Sequence, residues 1–197
     1  MDKRKLHHLW VLIRPIKVWY LVVLLLASTG LCIVALRDNN LTMVQLRDEV
    51  YLADKDGKEV ESALQRLRAH VYAHMNTELS TGNNVYPPVQ LKYTYQRLQQ
   101  AEKDRVRQDN ARIYTDAQNY CEQQNPNGFS GRGRVACIEA YVSGHGVKEV
   151  VIPDAMYKFG FVSPVWSPDL AGLMLVVSIV LLLLLVARML AGRILKA

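Results

Sequence analysis

Two histidines and a glutamate have a spacing that could support metal chemistry. His70 and His74 lie four residues apart and Glu78 follows after four more, so one helical face could hold all three as ligands of a divalent metal. The residue after His70 is Val71, so the glutamate that acts as general base in zinc-protease helices is missing. Because His70 and His74 flank the apolar positions Val71 and Met75, we favour the interpretation that they border the core and bind no metal.

Cys121 and Cys137 could form a disulfide bond. The chain between them contains Pro126 and several glycines, so it needs a covalent closure to become ordered. Outside the cytoplasm such a bond would contribute about 3 kcal/mol by the chain-entropy estimate. Free thiols are the alternative, and a cysteine metal site is disfavoured because no CxxC pair occurs. Cys32, inside an apolar run, is interpreted as an apolar filler.

The glycine-rich stretch 128–134 contains Arg132 and Arg134, which could hold an anionic wall polymer or a phosphate. The stretch matches neither the phosphate-loop spacing nor the dinucleotide fingerprint, so we interpret it as a loop bounded by the two cysteines. No nucleophile elbow or other catalytic constellation occurs. The sequence therefore favours a protein that is not an enzyme, and it predicts no cofactor.

Two long apolar runs, residues 18–36 and 170–190, flank these groups, except Cys32, which lies inside the first run. A helix of about 20 apolar residues spans the hydrocarbon core of a bilayer, and neither run contains a charge before Arg188. A cleaved signal peptide is the alternative for the first run, but a signal core has about 7–15 residues and residues 33–38 lack the small-residue pair needed for cleavage. A buried core helix is the alternative for the second run, which is apolar on all sides at 179–187.

The net charge of +6 is concentrated at the two ends of the chain. Residues 1–17 and 188–197 together carry eight basic side chains and one acid, whereas residues 37–169 carry 16 basic and 17 acidic side chains. The middle therefore offers no basic face for nucleic acid, and the basic flanks mark the cytoplasmic side of a membrane. We predict cytoplasmic tails at 1–17 and 191–197, membrane helices at 18–36 and 170–190, and an extracytoplasmic domain at 37–169.

The predicted outer domain is mainly helical. The first membrane helix should continue as a stalk to Ala53, because residues 37–53 contain neither glycine nor proline. An apolar stripe at helical spacing marks the next helix: Val60, Leu64, Leu67, Val71, Met75 and Leu79. Residues 80–88 are a loop by composition, and the helical period resumes from Leu91 to Tyr120.

The chain after Tyr120 is predicted to be less regular. A break at 125–128 precedes a short helix at 135–142, and residues 147–152 have a strand-like composition with little to pair with. Ser167 is the expected N-cap of the second membrane helix, with Pro168 as its first residue and Asp169 against the helix dipole. The predicted fold class is all-α: two transmembrane helices flanking a helical-bundle domain, with an irregular juxtamembrane segment.

Four stretches resemble a family of small two-span membrane proteins of ultrasmall epibiotic bacteria, the Saccharibacteria. They are Leu36-Arg37-Asp38-Asn39-Asn40, His74-Met75-Asn76-Thr77, Tyr86-Pro87-Pro88-Val89-Gln90-Leu91-Lys92-Tyr93 and the segment Phe161 to Gly172. The resemblance covers most of the chain and implies a bacterial plasma-membrane protein, but it transfers no site. The architecture is also similar to the helical sensor domains of bacterial chemoreceptors and histidine kinases.

These features lead us to expect an envelope protein whose outer domain binds a protein, a wall component or a surface ligand. The rival hypothesis is a receptor input module, which would have to signal through a partner because only ten residues, from Arg188 to Ala197, follow the uncharged part of the second span. The expected partners are the lipid bilayer and either another protein or further copies of the chain. Small residues in the first span could accept a neighbouring helix: Ala27, Ser28, Thr29, Gly30 and Cys32.

The predicted topology can be tested by cysteine labelling. With both termini inside, a cysteine at position 83 should react with an impermeant thiol reagent in intact cells, whereas one at position 195 should react only after permeabilisation. Labelling at position 195 but not at position 83 in intact cells would contradict the predicted orientation.

Overall fold

The computed structural model describes residues 17–79, 86–124 and 131–194. These residues are mostly helical, which confirms the all-α class. In chain order the elements are α1 (Val18–Asp56), α2 (Val60–Ala73), β1 (Val89–Gln90), α3 (Lys92–Gln124), α4 (Gly131–His145), a 3₁₀ turn (Asp154–Met156), β2 (Lys158–Phe159) and α5 (Leu170–Ile194). Most of the predicted tails, the first six residues of the loop at 80–88 and the break at 125–128 lie outside the described residues.

The chain divides into two compact units. The first contains residues 1–53, 58–89 and 160–197, and the second contains residues 54–57 and 90–159. The predicted outer segment 37–169 therefore contributes to both units. By length and composition, α1 and α5 are each long and apolar enough to cross a membrane.

In the first unit, α1 and α5 pack along a narrow seam of small and polar side chains. The hydroxyls of Ser28 and Ser178 lie 2.9 Å apart, and the Cys32 thiol lies 3.5 Å from the carbonyl oxygen of Ala171. Small residues allow two helices to approach closely, and Ser28 and Cys32 of the predicted patch are buried in this seam, whereas Ala27, Thr29 and Gly30 are exposed. Gly30, in the same patch, has no atom near the position of an added Cβ.

The α1 helix runs unbroken for 39 residues, as the predicted stalk requires. It ends in a turn at Gly57, whose φ of +69° favours glycine because a side chain is strained there. The N–H of Lys58 donates to the carbonyl oxygen of Ala53 at 3.3 Å, which is the hydrogen bond of a Schellman cap. Helix α2 begins three residues after Gly57.

The apolar stripe of α2 is buried, but the helix is shorter than predicted. Leu67 and Val71 are fully buried, and Leu64 is nearly so. The helix ends at Ala73, so Met75 and Leu79 belong to the irregular chain that follows, although both are buried there. Burial drives these side chains inward in either conformation, which is why periodicity alone overestimated the length of the helix.

In the second unit, α3 and α4 form a helical hairpin joined by the Cys121–Cys137 disulfide. The predicted bond is present, with a Cα–Cα distance of 6.0 Å, and it lies beside a small core of Ala117 and Ile138. The prediction of a loop through Arg134 was wrong, because α4 already begins at Gly131. The glycines at 131 and 133 disfavour a helix in isolation, but packing against α3 overrides that weak preference.

The N-terminus of α3 is capped by a carboxylate that is distant in sequence. Asp54 is 2% exposed and accepts hydrogen bonds from the N–H groups of Tyr93 and Thr94 at 2.9 and 2.7 Å. The Arg97 guanidinium donates to the same carboxylate at 3.2 Å, so the buried charge is paired. An anion at a helix N-terminus is favoured by the free N–H groups and by the helix dipole.

The chain after α4 runs antiparallel along α3 without forming a helix. The Asn110 side chain bonds both the N–H and the carbonyl oxygen of Val147, at 2.8 and 3.0 Å. Further along, Glu102 accepts the N–H of Val150 at 2.7 Å. The strand-like stretch at 147–152 is therefore held by the α3 side chains Asn110 and Glu102. Strand pairing begins only later in the segment, where β2 pairs with β1.

We predict that Leu67→Ala lowers the free energy of unfolding by about 2–5 kcal/mol, because the truncation leaves a cavity at a fully buried site. Arg66→Ala is the matched control on the same helix. Arg66 forms an exposed ion pair with Glu49 at 3.2 Å, and its loss should cost less than about 1 kcal/mol. Denaturant unfolding of the full chain in mild detergent measures both, and equal losses would contradict the assigned core.

Candidate functional site

A cluster of polar groups in the first unit centres on Asn39 of α1. Its side-chain amide donates to the Asp169 carboxylate at 2.7 Å and to the carbonyl oxygen of Met75 at 3.4 Å. The backbone carbonyl oxygen of Asn39 accepts a hydrogen bond from Nε2 of His70 at 3.0 Å. We call Asn39, His70, Met75, Ser167 and Asp169 the polar junction, because together they tie α1, α2 and the start of α5 to one another.

The chain just after α2 is shaped to enter the polar junction. The N–H of Met75 donates to the Ser167 hydroxyl at 2.9 Å. Asn76 adopts a left-handed conformation with φ of 60°, which asparagine tolerates better than most residues. Its side chain donates to the carbonyl oxygen of Leu36 at 3.2 Å, so the turn is bonded to α1 as well as to Ser167.

Asp169 is the N-cap of α5, where the sequence had predicted Ser167. Its carboxylate accepts the N–H of Gly172 at 2.9 Å, the contact that a capping side chain makes with the third helical residue. Burial alone would raise the pKa of the Asp169 carboxyl. The hydrogen bonds from Gly172, Asn39 and Ser167 outweigh burial and hold its pKa below the usual range. Ser167 is recruited by Met75 and Asp169, so it is not available to cap the helix itself.

The predicted metal ligands do not converge. The rings of His70 and His74 stack with their centroids 4.2 Å apart, but α2 ends at Ala73 and Glu78 lies in irregular chain. Nε2 of His70 and Nδ1 of His74 each face a backbone carbonyl oxygen at 3.0 Å, and a carbonyl only accepts, so both nitrogens carry the proton. Within the described ranges, no three His, Cys, Asp or Glu side chains are grouped to hold a metal ion.

Arg132 and Arg134 lie in the first turns of α4, and not in the anion-binding loop that their spacing allowed. The Arg134 guanidinium is 3.9 Å from the Glu122 carboxylate of α3. This distant, exposed ion pair joins the two helices weakly. It gives Arg134 a structural partner on its own hairpin.

Among the described residues, an open cleft lies beside these groups in each unit. The cleft of the first unit, about 370 Å³, is bordered by residues 76–79 and 160–163 with Tyr86 and Pro88. The cleft of the second unit, about 410 Å³, lies between α3 and the chain that runs along it. Its lining combines aromatic, aliphatic and charged side chains, among them Tyr95, Glu102, Val150, Val151, Asp154 and Tyr157.

Two carboxylates that line the second cleft, Glu102 and Asp154, are held in the charged form. Hydrogen bonds from Arg105 and from the N–H of Val150 lower the pKa of Glu102 to about 2. The Lys158 ammonium and the Tyr157 hydroxyl hold the pKa of Asp154 below its usual range in the same way. A general acid or base works best with a pKa near the operating pH, so both groups suit charge recognition better than proton transfer.

The sequence had indicated some of these residues but not their roles. Asn39, Asn76 and the segment 161–172 belong to the stretches that carry the family resemblance, and the structure brings those three stretches together at the polar junction. Glu102 and Asn110 had no signal, because their partners are backbone groups about 40 residues away. One indirect indication was present in the sequence: Asn110 is a polar residue on the apolar helical face between Leu91 and Tyr120.

No family model, curated protein or solved structure matches the chain. Its function therefore has to be inferred from the apolar helices, the polar junction and the two clefts themselves. The Ser167 hydroxyl of the junction is bonded to the Met75 N–H and to the Asp169 carboxylate, and that carboxylate is committed to capping α5. What the junction does physically is to hold three segments of the first unit in one arrangement.

We predict that Asp169→Asn lowers the free energy of unfolding by about 1 kcal/mol at neutral pH, because a partly exposed carboxylate loses its charge-assisted hydrogen bonds. A carboxyl whose pKa is lowered by folding stabilises the protein above its unfolded pKa of about 3.9, and this stabilisation is lost as the pH falls through the lowered value. The difference between wild type and variant should therefore disappear in acid.

Unfolding of both proteins at several pH values measures this effect, with Asp48→Asn as the control at an exposed carboxyl of α1. A difference that persists at the acidic end would show that the charge of Asp169 is not its source.

Proposed function

We propose that the chain is a two-span plasma-membrane protein with both termini in the cytoplasm and residues 37–169 outside. We further propose that its outer part is a non-enzymatic binding module for a protein, a wall component or a surface ligand. The observation that carries the membrane assignment is the exposure of its two apolar helices.

Only 22% of the most apolar window of α1 is buried within the protein, and only 11% of that of α5. A core helix of a soluble protein would be mostly buried, because exposed apolar surface costs about 25 cal/mol per Å² in water. Large side chains such as Leu26, Val34 and Leu183 are all more than 60% exposed. A bilayer would cover these surfaces, whereas the small and polar residues of the α1–α5 seam are already covered.

The proposed orientation is supported by charge. Lys17 precedes α1 and Arg188 lies near the end of α5, so basic groups stand at the same end of both helices. At the other ends, the polar junction offers hydrogen-bonding groups where the helices leave the apolar region. Residues 37–169 carry 16 basic and 17 acidic side chains, so this side lacks the basic excess of the two flanks, as expected for the outer face.

The binding role is supported by the cleft of the second unit. Val150 and Val151 are 65% and 88% exposed beside charged carboxylates and two tyrosines, a mixture typical of protein-binding surfaces. The lowered pKa values of Glu102 and Asp154 favour recognition over catalysis. A protein ligand with a basic group beside an apolar one would complement this surface.

One observation favours the second candidate, an input module that signals through a partner membrane protein. Helix α1 is continuous from Val18 to Asp56, so a displacement of its outer end would be transmitted along a rigid rod. The chain before α5 has no helix at 160–169, so the same coupling is not available through the second span. Signalling would have to use α1.

Photocrosslinking in membranes tests the proposal. A benzoylphenylalanine at position 151 should give a discrete adduct that copurifies in mild detergent, because that side chain borders the cleft. The same probe at Tyr114, an exposed position of α3 outside the cleft lining, is the control. Adducts with a kinase or receptor would favour the input module. The absence of an adduct specific to position 151, or hydrolytic turnover by the purified protein, would contradict the binding role.

A further inference from the structure

The segment Phe161–Trp166, here named the juxtamembrane loop, exposes large apolar side chains. Val162 is 78% exposed and Val165 is 97% exposed. The stretch from Gly160 to Pro168 contains no charged residue. A soluble loop normally places polar side chains outside, so this surface needs a cover that is not water.

The juxtamembrane loop is fixed to the first unit at both ends. At its start, the ring of Phe161 packs edge-on against Tyr72 of α2, with centroids 6.1 Å apart. At its end, the indole N–H of Trp166 donates to the carbonyl oxygen of Gly172 in the first turn of α5 at 3.3 Å. A Cβ at Gly172 would collide with the carbonyl oxygen of Ser167, so this close approach needs glycine.

The polar junction sets the depth of the juxtamembrane loop. Ser167 is bonded to Met75, and Asp169 is bonded to Asn39, which lies three residues beyond Leu36 at the end of the apolar run of α1. Three residues of helix rise about 4.5 Å. The loop therefore lies level with the point where both apolar helices end.

We propose that the juxtamembrane loop inserts Val162, Val165 and Trp166 into the interfacial region of the outer leaflet, so that lipid is its partner. The inference rests on the two-span arrangement proposed above and adds a third contact with the membrane. Lipid is the occupant because the exposed side chains continue the apolar surface of α5, from which Trp166 is separated by only three residues. Tryptophan prefers the headgroup level of a membrane, because its apolar ring can contact lipid there while its N–H keeps a hydrogen-bond partner.

Spin labelling tests the inference on the full chain in vesicles of phosphatidylcholine with a minority of phosphatidylglycerol. Single cysteines are introduced in a Cys32→Ala background, in which Cys121 and Cys137 remain paired. The test positions are Val162→Cys and Val165→Cys. The controls are Gln45→Cys, an exposed position of α1 well beyond the apolar run, and Leu183→Cys, 63% exposed in the middle of α5.

The measured quantity is the ratio of two collision rates of each label, with oxygen, which concentrates in lipid, and with a water-soluble nickel chelate. This ratio should be several-fold higher at positions 162 and 165 than at position 45. A nickel accessibility at 165 equal to that at 45 would overturn the inference. Shielding of 162 and 165 from both reagents would also overturn it, because protein and not lipid would then cover the loop. If the label at 183 is in lipid while that at 165 is in water, only the loop inference fails. If the label at 183 is itself in water, the two-span proposal fails.

Discussion

The first unit depends on the side-chain amide of Asn39. Its amide protons are donated to the Asp169 carboxylate and to the Met75 carbonyl oxygen, while the backbone carbonyl oxygen of the same residue accepts from His70. These three hydrogen bonds tie α2, the chain just after it and the start of α5 to α1. An apolar side chain of the same size would leave the Asp169 carboxylate with fewer hydrogen-bond donors. An aspartate at position 39 would place a second negative charge beside Asp169.

The polar junction lies just beyond the apolar run of α1 and at the start of α5. Along the apolar part of α1, the contacts with α5 involve the hydroxyls of Ser28 and Ser178 and the Cys32 thiol. Under the proposed two-span arrangement this is expected, because apolar side chains gain little from leaving lipid for one another. The hydrogen bonds to the Asp169 carboxylate are found where the apolar runs end, beside a loop whose valines are exposed.

The second unit is stabilised in a different way. Its hairpin is closed by a disulfide, the start of α3 is capped by the distant Asp54, and the chain that returns along α3 is held by Asn110 and Glu102. The side-chain contacts bring a carboxylate or amide to backbone groups that have no partner in a helix or sheet. Hydrogen bonds from Arg105 and from the N–H of Val150 lower the pKa of Glu102 and keep it ionised, which is why the cleft beside it presents fixed charge next to exposed valines.

The sequence by itself determined where most of the helices lie, and it favoured the disulfide. Helix formation depends largely on the spacing of apolar residues within a few turns, and this spacing can be read directly from the sequence. It is visible in the two apolar runs, in the stripe through Leu64 and Leu67 and in the helical period of α3. The Cys121–Cys137 bond was predicted because residues 37–169 contain only these two cysteines and the chain between them, with Pro126 and several glycines, needs closure.

Tertiary structure alone decided where α2 stops, that α4 starts at Gly131, that Asp169 and not Ser167 caps α5, and that Asn39 meets Asp169. In each case the deciding contact joins residues that are distant in sequence or depends on a competing hydrogen bond. Local propensity differs by less than about 1 kcal/mol between most residues, so one long-range hydrogen bond or one buried contact is enough to override it.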